Sequence, residues 1–114
     1  GQLSLEVFHT PGHYPDSVCY LLDGILFTGD TLFVGRTGRT VSNGSDTRQL
    51  YRSVYDTILD LPGHTIIYPG HDYGPKMTIS IDENIAISPL LQAEDEDDFV
   101  QRMADYEVER TFEN

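Results

Sequence analysis

One cysteine, seven basic residues and no long apolar run: each shortage removes a class of function from this 114-residue chain. Cys19 has no partner for an internal disulfide, which suits a reducing, cytoplasmic setting. Inside Ser17-Val18-Cys19-Tyr20-Leu21-Leu22 it reads as a small buried apolar side chain, since nothing nearby in sequence would lower its pKa. Seven Lys and Arg stand against 19 Asp and Glu, a formal charge of −12. That balance argues against binding to nucleic acid or to an anionic membrane surface, both of which call for clustered cations. Between Glu94 and Asn114 nine acidic residues face two basic ones, so about −7 of the charge sits in the last 21 residues and is expected to belong to a tail. No apolar stretch approaches the roughly 20 residues needed to span a bilayer, and Gly1-Gln2-Leu3-Ser4 has no basic-then-apolar targeting pattern. A soluble protein is expected.

What is present is enough for one small core: 39% hydrophobic residues, 11% of the chain aromatic. Leu3, Leu5 and Val7 alternate with Ser4, Glu6 and Phe8, a strand period with one better-buried face. Residues 17–22 and 25–28 flank Asp23-Gly24, a type I′ signal that predicts a β-hairpin. Gly35, Gly38 and Gly44 with Ser, Thr and Asn between them predict a long loop over 34–44. Leu50, Val54, Tyr55, Ile58 and Leu61 recur at helical spacing after Ser45 or Asp46 as N-cap, and Pro62-Gly63 stops them. A strand over 64–68, a short helix near 82–87 and a last helix over about 94–109, with Phe99, Met103 and Tyr106 as its apolar stripe, complete the expectation. There are no internal repeats, and residues 1–114 are expected to form a single unit with an acidic helical tail from about 94.

Three segments repeat one design, an apolar run ending in a glycine-containing turn that offers a metal-capable side chain. They are Leu5-Glu6-Val7-Phe8 into His9-Thr10-Pro11-Gly12-His13, Ile25-Leu26-Phe27 into Thr28-Gly29-Asp30, and Ile66-Ile67-Tyr68 into Pro69-Gly70-His71-Asp72. Taken singly, a His near a turn is usually a surface or core residue, and an Asp after Gly usually a turn former. Three together point to strands releasing His, Asp and His at one sheet edge, a ligand set suited to zinc or ferrous iron.

These motifs, with Leu26-Phe27-Thr28-Gly29-Asp30-Thr31-Leu32-Phe33 and Tyr68-Pro69-Gly70-His71-Asp72-Tyr73, are spaced 17 residues from His13 to Asp30 and 41 from Asp30 to His71. In that order they resemble the second half of the metallo-β-lactamase-fold superfamily, nearest its glyoxalase II-like and persulfide dioxygenase-like branch. The resemblance covers about Leu3 to Gln92. It implies an α+β fold, the C-terminal half of an αββα sandwich. It further implies His13 as ligand of a first metal, Asp30 as the carboxylate bridging two metals and His71 as ligand of the second. His9 would support the loop behind the metal, and Tyr73 would touch substrate. The family's first ligand cluster, Thr-His-x-His-x-Asp-His, has no match here, so the chain is expected to be the C-terminal half of a longer enzyme. Gly38-Arg39-Thr40 is followed by Val41 where the family usually has Asp, and Thr37 stands where dioxygenase relatives often carry Cys.

The function so implied is metal-dependent hydrolysis of a thioester or small ester, of the hydroxyacylglutathione hydrolase type, with zinc at two sites, iron as the alternative and Asp30 managing the proton. The runner-up is a mononuclear iron persulfide dioxygenase. Four of the seven basic residues, Arg36, Arg39, Arg48 and Arg52, lie between the second and third motifs. Of these, Arg39 and Arg36 are the candidates for receiving an anionic substrate group, while Arg48 and Arg52 read more simply as a solvated helix face. A third reading is an inactive fragment that self-associates, as a homodimer through the bare face of half a sandwich.

Overall fold

A computed structural model describes residues 5–41, 43–70 and 76–113. Five strands form one sheet in sequence order: β1 (Leu5–His9), β2 (Val18–Leu22), β3 (Ile25–Gly29), β4 (Ile66–Pro69) and β5 (Ile79–Ser80). Neighbours are antiparallel except β3 and β4, which run parallel and therefore need a crossover. That crossover carries the glycine loop and the helix α1 (Thr47–Arg52). The hairpin turn is as the sequence predicts: Asp23 and Gly24 have φ of 51° and 78°, and Leu22 pairs with Ile25.

Period-2 geometry sends alternate side chains to opposite faces. One face presents Cys19, Leu21, Leu26, Ile67 and Ile79, and Leu26, Ile67 and Cys19 are fully buried beneath the helices. The other presents Val7, Tyr20, Phe27 and Tyr68 in one register row across four strands. The alternation in β1 thus has its sides assigned by the structure. Phe8 packs against the core, whereas Leu5 and Val7 are each 58% exposed.

α1 begins at Asp46, whose carboxylate accepts the Gln49 N–H as an N-cap. After Arg52 the helix widens into a π segment, Ser53–Ile58, closed by the Leu59 N–H to the Val54 carbonyl. Apolar spacing of three and four residues is compatible with both windings, so the sequence could not show the change. Helix α2 (Ile81–Ile87) is capped by Ser80, and a 3₁₀ turn (Pro89–Leu91) leads to α3 (Glu96–Glu113). Phe99 and Met103 of α3 are buried, and Phe99 lies against the stacked rings of Tyr51 and Tyr55. The acidic tail is therefore part of the core. The loop over 34–44 is equally integrated: buried Asn84 accepts the Gly35 N–H and donates to the Phe33 carbonyl.

Candidate metal centre

His13 sits on a loop that is seated against the start of α1. The Gly12 carbonyl accepts the Asp46 N–H, the His13 carbonyl accepts the Ser45 hydroxyl, and the Pro11 carbonyl accepts the Ser53 hydroxyl. Gly12 has φ of 140°, and a Cβ there would lie 2.4 Å from the Leu50 backbone, so only glycine lets the loop come this close. Asp30 follows Gly29, whose φ of 51° starts the turn off β3, and the Thr28 hydroxyl closes it by donating to the Leu32 carbonyl at 2.6 Å. Buried Thr10 joins the two segments, with its hydroxyl 3.4 Å from that of Thr31 and 3.3 Å from the Cys19 sulfur. Burial pushes the Cys19 thiol pKa up, as befits a packed group rather than a nucleophile.

These turns bring the His13 Nε2 to 3.9 Å from the Asp30 Oδ2. That is too long for a hydrogen bond. The other ring nitrogen, Nδ1, lies 2.6 Å from the Arg39 carbonyl. A carbonyl can only accept, so Nδ1 carries a proton and the ring turns its Nε2 edge toward Asp30. A metal-binding imidazole has this arrangement, in which a backbone acceptor sets the tautomer and the far nitrogen is the ligand. Gly38 closes the site from behind: a Cβ on it would fall 2.0 Å from the Asp30 carbonyl oxygen and 3.2 Å from the His13 ring.

His71 and Tyr73, expected as metal ligand and substrate contact, lie outside the described residues. Among the described residues no three His, Cys, Asp or Glu side chains gather as a metal group, so the pair His13 and Asp30 is what can be placed. Gly70, which precedes His71 in sequence, donates its N–H to the Gly29 carbonyl next to Asp30. His9 has its Nε2 2.8 Å from the Pro15 carbonyl, spanning the base of the His13 loop.

Arg48 and Arg52 are on the solvated face expected of them, at 48% and 59% exposed, whereas Arg39 and Arg36 have contacts within the chain. The Arg39 guanidinium is forked onto the Glu107 carboxylate of α3, with Nη2 to Oε2 at 2.6 Å, which leaves the proposed anion receptor already filled. Arg48 pairs with Glu96 and Asp97, Arg52 pairs with Glu96, and Arg36 lies 4.1 Å above the Phe33 ring. α3 accordingly neutralises the basic segment, and its charge is not remote from the site. Asn84 and Glu107 belong to no motif, and Thr10 lies in one without being a candidate ligand. Their part depends on contacts 21 to 68 residues away in sequence, which no local signal encodes.

A five-stranded sheet with helices on one side, and with an imidazole and a carboxylate meeting beyond its strand ends, is an α+β architecture. The chain belongs to the metallo-beta-lactamase superfamily, whose family description matches residues 1–71. It is 37% identical over 93 residues to mouse "Persulfide dioxygenase ETHE1, mitochondrial", covering 80% of this chain and 37% of that protein. It is 38% identical over 77 residues to the Schizosaccharomyces pombe "Probable hydroxyacylglutathione hydrolase glo2", covering 64% of this chain and 29% of that one. Among solved structures, ETHE1 from Myxococcus xanthus superposes with a TM-score of 0.83 at 39% identity, over 91% of this chain and 46% of that chain. TTHA1623 in a di-iron-bound form gives 0.69 at 34% identity, over 76% and 42%. The chain thus spans 37% of the length of the mouse relative.

Proposed function

We propose that this chain supplies the His13 and Asp30 half of a metal centre in an enzyme that hydrolyses a thioester or small ester, of the hydroxyacylglutathione hydrolase type. The observation that carries the reading is the 3.9 Å approach of a tautomer-locked imidazole to a carboxylate at the strand ends. That donor set fits zinc, and iron equally. When bound, such a cation lowers the pKa of water and polarises a carbonyl. The chain's own residues then have defined tasks. His13 offers Nε2, Asp30 offers carboxylate oxygens and can take the proton released from water, and His71 is the further ligand on the third motif. In the overall step the oxygen of water joins the acyl carbon, the C–S or C–O bond breaks, and the thiol or alcohol leaves with a proton. Tyr73 is the proposed substrate contact. Arg39 would serve an anionic group only after leaving Glu107.

A second reading, a persulfide dioxygenase, is favoured by the likeness to the mouse and Myxococcus proteins, at 37% and 39% identity. The hydrolase relative stands at 38%, so identity does not separate the two. With the enzyme loaded with zinc or with iron, release of thiol from a glutathione thioester marks the first reading and oxygen uptake with glutathione persulfide the second. Asp30→Ala is expected to abolish activity and metal content together. A fully active variant refutes the site.

A further inference from the structure

The residue whose carbonyl holds His13 is itself held from the far end of the chain. Arg39 makes three contacts to Glu107: Nε to Oε1 at 3.0 Å, Nε to Oε2 at 3.1 Å and Nη2 to Oε2 at 2.6 Å. An exposed ion pair contributes little, but this one is a fork, in which two nitrogens of a planar group fix orientation as well as distance. The Glu107 side chain is 18% exposed, more sheltered than its partner at 37%. α3 is a firm base for it, since Phe99 and Met103 on the same helix are buried. At the other end of residue 39, its carbonyl takes the Nδ1 proton of His13 at 2.6 Å. Gly38 beside it is packed against Asp30 and His13 so tightly that no side chain fits. A displacement of residue 39 is thereby transmitted to the imidazole.

We propose that Glu107 is a positioning residue for His13: by fixing Arg39, it keeps the imidazole in the Nδ1–H tautomer with Nε2 facing Asp30. The inference rests on the metal-centre reading for its consequence, but its immediate claim concerns the ring alone. The acidic helix would then act on the site through its charge, although it provides no ligand.

The test uses the 114-residue chain uniformly labelled with 15N and reads the His13 ring nitrogens by long-range NMR correlation, then titrates Co2+ alone as the metal probe. The parent is expected to show predominantly the Nδ1–H tautomer. Glu107→Gln and Arg39→Lys are each expected to mix the tautomers and to weaken Co2+ binding about tenfold, as loss of an outer hydrogen-bonding partner does. Glu109→Gln, on the same helix, is the control and should change neither. The exchange Arg39→Glu with Glu107→Arg should recover the parental tautomer. Unchanged amide shifts at Leu26 and Ile67 certify the fold of each variant. If either single variant is folded and keeps the parental tautomer, the proposal is overturned, and Arg39→Lys serves should Glu107→Gln unfold α3. Failure of the parent to bind Co2+ would instead count against the metal centre, and the tautomer result would still decide the role of Glu107.

Discussion

The two faces of the sheet are built from the same kinds of residue and meet different fates. On one, Leu26, Ile67 and Cys19 vanish into a core shared with Leu50, Val54, Ile58 and Phe99; on the other, Tyr20 and Phe27 are 42% and 37% exposed beside Leu5 and Val7 at 58% each. Antiparallel sheets often leave one side wet, but then that side alternates to polar residues. Here it does not. The apolar row of Val7, Tyr20, Phe27 and Tyr68 has the composition of a buried surface, yet Val7, Tyr20 and Phe27 are exposed. Burial is therefore set by which layer packs on a face rather than by hydrophobicity alone. His13 and Asp30 meet beyond the ends of β1 and β3.

The sharpest way to break the comparison is to truncate adjacent residues of β3 that point to opposite faces. Leu26→Ala should cost about 2–5 kcal/mol, because it opens a cavity in a filled core, while Phe27→Ala should cost less than about 1 kcal/mol. Urea unfolding of the two variants measures this, and equal losses would show that the open face is covered in solution. Gly38→Ala should cost about 1–3 kcal/mol by overpacking and also disturb His13, visible as a change in its ring shifts, because the new methyl meets the Asp30 carbonyl. Tyr55 probes the covered side by pH. Its hydroxyl donates to the Leu90 carbonyl and accepts the Ala93 N–H, and burial pushes its pKa from 10.0 up to about 12. A raised pKa favours the neutral ring in the fold, so this contribution is complete below the unfolded value and is lost as pH climbs from 10.0 to about 12. Tyr55→Phe should remove that alkaline slope and cost about 1 kcal/mol at neutral pH. Smallest in stability is Tyr20→Ser with Phe27→Ser, expected within about 0.5 kcal/mol. Sedimentation should show the parent self-associating through this face and the double variant less so; identical behaviour would remove the dimer expectation.

Local patterns made much of this legible. Asp23-Gly24 specified the hairpin because both positions need positive φ, and the stripe of Phe99, Met103 and Tyr106 marked the last helix before any packing was known. The approach of His13 to Asp30 was foreshadowed too, since their motifs follow apolar runs that became β1 and β3. β5 was missed because two residues, Ile79 and Ser80, carry no period. The π winding was missed because Val54 and Ile58, its buried apolar residues, stand four apart, a spacing that an α-helix also gives.

Chain order and residue type by themselves determined four of the five strands described, the hairpin turn and which side chains could serve a metal, because those depend on neighbours a few residues apart. Only the tertiary structure decided which face of β1 is inside, that Arg39 pairs with Glu107, and that the Arg39 carbonyl accepts from the His13 Nδ1. Those outcomes depend on contacts 26 and 68 residues apart, where the competition among packing partners is settled by the whole fold and not by any segment.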